Sequence, residues 1–164
     1  MQALLALAFM IPLPFSRPAA ERTDPKAWAR LVEAFHKQGI EVRSDHPRCN
    51  ERDLYGLYVR GSRVVVVCDR GDRSATLRHE GWHLVQSLCL QNRPWLRPDD
   101  IAKRLSSKDR AELIALVQSD RWQREAEARV MAALKPDNYL NELGKACGDS
   151  QSSLSIPSKR GETE

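Results

Sequence analysis

Five residues, His79-Glu80-Gly81-Trp82-His83, place two imidazoles four positions apart with a carboxylate beside the first. On a helix of about 3.6 residues per turn, that spacing projects both rings from one face, close enough to share a single Zn²⁺ ion. A carboxylate next to the first ligand is placed to take a proton from a water on such an ion, which is the work of a general base. The flanks predict a helix buried on one face: Leu77, Trp82, Leu84, Val85 and Leu88 form an apolar side opposite the imidazoles. Gly81 is a poor interior helix residue, about 1 kcal/mol below Ala, and reads as a side-chain-free position that leaves room beside the metal. The other histidines, His36 and His46, read as a surface residue of a helix and a solvated loop residue.

This stretch resembles the active-site helix of the zincin metallopeptidases. The resemblance implies two His ligands at His79 and His83, Glu80 as general base and proton shuttle, one Zn²⁺, and a third ligand further along the chain. In the gluzincin branch that ligand is a Glu on a second helix, within Glu-x-x-Ala or Glu-Ala. Arg124-Glu125-Ala126-Glu127-Ala128-Arg129 lies downstream in a segment that reads as helix from Asp120 to Leu134. Glu125 matches Glu-x-x-Ala and shares a face with Ala128 and Ala132, small residues that let two helices approach, so it is the preferred ligand. Glu127 matches Glu-Ala, shares a face with Val130, Met131 and Leu134, and stands as the alternative. A metzincin-type third His is excluded, because Cys89 occupies its position and no His follows His83.

Elements that position these residues can be read from the rest of the chain. Asp24-Pro25 is an N-cap followed by a first-turn proline, opening a helix with Trp28, Leu31, Val32 and Phe35 at helical spacing and Gly39 at its end. Gly39 to Ser44 predicts a short strand. Leu54 to Val59 and Arg63 to Cys68 predict a hairpin through Gly61-Ser62, with Val64 to Val67 a strand covered on both faces. Asp69 to Ser74 is a polar turn into the central helix, with Ser74 or Thr76 as N-cap. Beyond it come a proline-containing loop from Gln91 to Pro98 that carries Trp95, and helices over Asp99 to Leu105 and Ser107 to Gln118. Leu113, Ile114, Leu116 and Val117 are expected to form the apolar side of the second of these. A last helix from Pro136 carries Tyr139, Leu140, Leu143 and Cys147.

The expected fold is therefore α+β: a small zincin-like domain in which a short antiparallel hairpin or sheet packs on the active-site helix, followed by a mostly helical C-terminal half. Residues 21–147 form the single domain. Residues 1–20 read as an export signal or an apolar N-terminal segment, since Gln2 to Phe15 is uncharged and too short for a comfortable membrane span. The stretch 148–164 reads as a disordered polar tail.

Cys49, Cys68, Cys89 and Cys147 contain no Cys-x-x-Cys pair, which excludes a zinc knuckle or a redox motif, and an even count in an exported chain reads as two disulfides. Of the three possible pairings, Cys49 with Cys68 closes the hairpin region and Cys89 with Cys147 ties the last helix to the end of the central one. The location expected is secreted or periplasmic; a cytoplasmic protein with four free thiols is the alternative. At 164 residues, 41% apolar and 29% charged, the chain suits one core. Its net charge of +4 is spread along the length, which suggests solubility more than nucleic-acid binding and leaves attraction to anionic surfaces or acidic substrates open; no nucleic-acid partner and no stable membrane association after export are expected.

The function expected from the resemblance is hydrolysis of peptide bonds by a small exported zinc enzyme acting on a peptide or protein substrate. A catalytically inactive zinc-binding or peptide-binding domain is the alternative. Tyr139, Tyr58, Arg78 and His46 are the candidates for stabilising a developing oxyanion, with no choice among them.

Overall fold

The computed structural model describes residues 24–148. The apolar run 1–20 and the tail from residue 149 onward lie outside the described residues.

The first helix, α1 (Pro25–Lys37), begins where Asp24 accepts a hydrogen bond from the Lys26 N–H at 3.0 Å, with Pro25 in its first turn. It turns Ala27, Leu31 and Phe35 inward and stops at Gly39, whose φ is +69°. Three short strands follow: β1 (Glu41–Arg43), β2 (Gly56–Tyr58) and β3 (Val64–Val67), in the order β1-β3-β2. The expected hairpin pairs β2 with β3 antiparallel, Leu57 opposite Val66, but β1 pairs with β3 in parallel, Val42 opposite Val65. The sheet is mixed because β1 and β2 flank a shared central strand and the chain crosses over between them. β3 is thereby paired on both edges, and Val65, Val66 and Val67 have no exposed surface.

The central helix, α2 (Arg73–Leu88), packs across the sheet. Its N-cap is Asp72, which accepts from the Ala75 N–H at 3.0 Å, in place of the expected Ser74 or Thr76. Thr76 instead donates its hydroxyl to the Asp72 carbonyl, and Ser74 is buried. Leu77, Trp82, Leu84 and Val85 are fully buried as expected, whereas Leu88, the last residue of the helix, is exposed.

The helical half contains α3 (Pro98–Arg104), α4 (Ser107–Leu116), α5 (Trp122–Ala132) and α6 (Pro136–Gly148). Of the apolar side expected for α4, only Leu113 is buried; Ile114 and Leu116 are 71% and 77% exposed, because α4 packs on α5 along a single line. Two apolar clusters result. The larger joins α1, β3, α2 and α6; the smaller gathers Ile101, Leu105, Leu113, Ala126 and Val130. Helix α5 runs between them, giving Ala128 and Met131 to the first and Ala126 and Val130 to the second. That double burial fixes its rotation against α2.

Cys49 is bonded to Cys68 and Cys89 to Cys147, as the spacing argument expected. The first ties the 3-10 turn Pro47–Asn50 to the exit of β3, and the second joins the C-terminal ends of α2 and α6. Two such bonds suit an oxidising, extracellular type of environment. No helix of the described residues is long and apolar enough to cross a membrane.

Candidate metal centre

His79 and His83 stand one turn apart on α2, their ring centroids 4.8 Å apart and nearly perpendicular. Opposite them, α5 delivers Glu125, whose Oε1 lies 3.1 Å from His79 Nε2 and whose Oε2 lies 3.1 Å from His83 Nε2. One donor atom from each residue falls within 4.8 Å of the others, and this is the metal-capable His, Cys, Asp and Glu group among the described residues. A tetrahedral ion bonded at about 2.0–2.1 Å holds its donors roughly 3.3 Å apart, close to the two contacts with Glu125, so the group could hold a metal ion. Burial pushes the Glu125 carboxyl up, but hydrogen bonds and charge from both imidazoles outweigh it and hold the group far below the usual carboxylate range. Burial likewise pushes His83 down, and Glu125, Gln86 and Glu80 together bring it above its ordinary value.

The tautomer of His83 follows from its neighbours. Gln86 spends its amide hydrogens on the Arg124 carbonyl at 3.0 Å and on Glu127 Oε1 at 2.9 Å. Its remaining oxygen lies 3.0 Å from His83 Nδ1 and can only accept. The neutral ring therefore keeps its proton on Nδ1, the form whose Nε2 lone pair can serve a metal ion, whereas the Nε2 contact with Glu125 is a hydrogen bond of the protonated ring.

Glu127, the alternative ligand, is elsewhere. It is 1% exposed, and its carboxylate accepts from Trp82 Nε1 at 2.8 Å, Gln86 Nε2 at 2.9 Å, Trp95 N at 2.8 Å and Leu96 N at 2.9 Å. Two residues along a helix turn a side chain through about 200°, so when Glu125 meets the imidazoles Glu127 enters the core. Arg124 completes the clamp by donating to the His83 carbonyl at 2.8 Å, Ser87 Oγ at 3.0 Å and Asn92 Oδ1 at 2.7 Å. On the other side of Glu125, Arg129 is anchored by Asp109 and Glu112 and lies 3.7 Å from Glu125 Oε1.

Glu80 turns toward the sheet, where its Oε2 accepts from the Tyr58 N–H on β2 at 2.9 Å. That approach requires Gly56. A Cβ there would lie 2.6 Å from Thr76 Cγ2, 2.7 Å from the Val66 carbonyl oxygen and 3.2 Å from Glu80 Cγ. Gly81, by contrast, does not open space beside the cluster as expected. It faces the core, where a Cβ would meet Phe35 Cζ at 2.2 Å and Tyr139 Oη at 3.1 Å, so its role is to let α1 and α6 close on α2.

Two clefts meet at Glu80 and Glu125. The larger, about 600 Å³, lies on the His79 side and is bordered by Asp53, Tyr55, Gly56, Asp109 and Arg129. The smaller, about 230 Å³, lies on the His83 side and is bordered by Leu57, Tyr58, Arg60, Arg121 and Arg124. Of the four expected oxyanion donors, only Tyr58 borders either cleft. Tyr139 is fully buried, its hydroxyl has no hydrogen-bond partner among the described residues, and burial pushes its phenol well up against the opposing pull of Arg78. Arg78 donates to the Ala132 carbonyl at 2.8 Å, and His46 Nδ1 accepts from the Arg48 N–H at 3.2 Å to cap the 3-10 turn. His36 is exposed, as expected.

The sequence argument gave no role to Gln86, Arg124 or Arg129. Gln86 carried a usable signal, since a polar residue three positions after His83 shares its face of the helix. Compared with known families, curated proteins and solved structures, the chain matches no family model, no curated protein and no solved structure.

Proposed function

We propose that this protein is a small exported zinc-dependent peptidase of the gluzincin type, with His79, His83 and Glu125 as ligands and Glu80 as general base. The observation that carries the reading is the convergence of two imidazole nitrogens and a carboxylate from a second helix, with another carboxylate at the junction of two open clefts. Two nitrogens and one carboxylate oxygen form a donor set suited to Zn²⁺, and three protein ligands leave a tetrahedral ion one open position.

When bound, Zn²⁺ would lower the pKa of a coordinated water and polarise a carbonyl group. The chain's own part is positional and protonic. The Tyr58 N–H holds the Glu80 carboxylate by one oxygen, leaving the other to take a proton from the attacking water and return it to the departing amine. Gln86 and Arg124 fix the ring and the backbone of His83, and Arg129 steadies Glu125. Strand β2 is an edge strand, and such an edge can add an extended peptide as a further strand beyond the Tyr58 N–H that Glu80 occupies. The two disulfides support a secreted or periplasmic location.

The test is metal content and peptide hydrolysis measured in parallel. Wild type should hold about one zinc per chain and lose turnover with a chelator; His83→Ala and Glu125→Ala should lose both metal and turnover. Glu80→Gln should keep the metal while turnover falls about 10²- to 10⁴-fold. Retained hydrolysis in Glu80→Gln sinks the mechanism, and bound zinc without turnover of any peptide in a broad library points to the inactive binding domain.

A further inference from the structure

The two clefts that meet at the candidate centre differ in charge. On the His79 side, Asp53 and Asp109 border the space together with Arg129, and that arginine is already paired with Asp109 and Glu112. On the His83 side, the cleft continues past Tyr58, Arg60, Arg121 and Arg124 into a further hollow of about 410 Å³. Ser87 and Asn92 join the three arginines there, and no carboxylate lines it among the described residues.

None of these arginines forms an ion pair with a carboxylate among the described residues. Arg124 is pinned by neutral partners, the His83 carbonyl, Ser87 Oγ and Asn92 Oδ1. Arg121 donates to the neutral side-chain oxygen of Gln118 and forms the N-cap of α5, so the positive end of that helix dipole borders the same space. Arg60 is exposed at the turn of the hairpin and borders the same hollow as Arg121 and Arg124. Glu125 and Glu127 act on Arg124 from the side of the cluster, but in the outer hollow the three cations face one another with no carboxylate among the described lining residues, and a bound anion relieves their repulsion. Guanidinium groups present paired N–H donors matched to a carboxylate.

We propose that this basic end of the cleft is a subsite for a carboxylate of the peptide, so that the enzyme selects substrates bearing an acidic side chain or a terminal carboxylate on the His83 side of the scissile bond. The proposal rests on the peptidase reading for its position relative to the reaction. Its chemistry rests on the three arginines alone. Arg60 and Arg121, the two exposed members, determine specificity, while Arg124 also holds α5 against α2.

The experiment uses the full zinc-loaded chain and peptides of one common core in three matched forms: a Glu replaced by Gln, a free C-terminus replaced by an amide, and both replaced. Wild type should favour the carboxylate over its neutral counterpart by about tenfold in kcat/KM at low salt, with the ratio shrinking at about 0.5 M salt. The arm that carries the preference identifies its source, side chain or terminus. In Arg60→Gln with Arg121→Gln, whose fold and zinc content are checked by circular dichroism and metal analysis, the ratio should fall to within about twofold. A ratio near one in wild type, or an unchanged ratio in the double variant, overturns the subsite. If no peptide is cleaved, fluorescence anisotropy with the same peptides reads the subsite separately. Carboxylate-dependent binding that the double variant loses upholds the subsite while the peptidase reading falls, and equal binding of acid and amide forms overturns the subsite.

Discussion

On α5 the carboxylate of Glu125 lies 3.1 Å from each of two imidazole nitrogens, while that of Glu127, one half-turn away, is surrounded by four N–H donors from α2 and the Trp95 loop. The two acids are chemically alike but energetically opposed. Glu125 is a partly exposed group flanked by two imidazoles; Glu127 is a buried carboxylate whose removal would strand the main-chain N–H groups of Trp95 and Leu96 and the Trp82 indole. Glu127→Ala should therefore cost about 3–5 kcal/mol in denaturant unfolding, an effect Glu125→Ala should not reproduce in the metal-free protein. Equal stability losses would place both acids in one role. Much of this was legible in the sequence: Glu127 shares a helical stripe with Val130 and Met131, which marks the inward side. That a charge is needed there was not, because its partners are Trp82 and a loop more than thirty positions upstream, brought together only by packing.

At the scale of elements, α2 must touch β2 on one side and α1 and α6 on another, and a glycine stands at each contact, Gly56 on the strand and Gly81 on the helix. Gly81→Ala should destabilise the fold by about 1–3 kcal/mol, measured by thermal or denaturant unfolding, although alanine gains roughly 1 kcal/mol in helix propensity. The new methyl group would lie 2.2 Å from the Phe35 ring, in an interior that cannot yield by that much. A gain in stability would show that α1 moves aside freely. The sequence placed the helices and the hairpin because caps, periodicity and the valine run are local signals. It misplaced Gly81, since a missing side chain looks the same whether it admits a ligand or a neighbouring helix. It overestimated the apolar side of α4 for a related reason: Ile114 and Leu116 are apolar, but no second element among the described residues comes to cover them.

For the whole molecule, the cluster links stability to pH and to metal. In the metal-free protein His83 titrates above its ordinary 6.5, so its contribution is fully present below that value and is lost as pH rises through the raised one. Glu125 titrates below its ordinary 4.5, so its contribution is present above that value and is lost as pH falls toward the depressed one. The metal-free cluster is thus most stabilising between the two ordinary values. A bound cation reverses the His part, because it requires the neutral ring and competes with the proton. Zinc should raise the melting temperature strongly at about pH 8 and progressively less toward about pH 5, with apparent affinity weakening by roughly tenfold per pH unit for each proton displaced. Calorimetry with and without zinc across that range is the check; a melting-temperature gain independent of pH would remove the imidazoles from the coordination sphere.

The Cys89–Cys147 bond closes a covalent ring that contains α3, α4, α5 and most of α6, hence Glu125, while His79 and His83 stand just outside it. A backbone nick anywhere within that ring leaves two pieces still joined through sulfur. Under the proposed peptidase activity, a stray self-inflicted break in the loop ahead of α3 would cost continuity without releasing Glu125 from the molecule, so long as its surroundings stay oxidising.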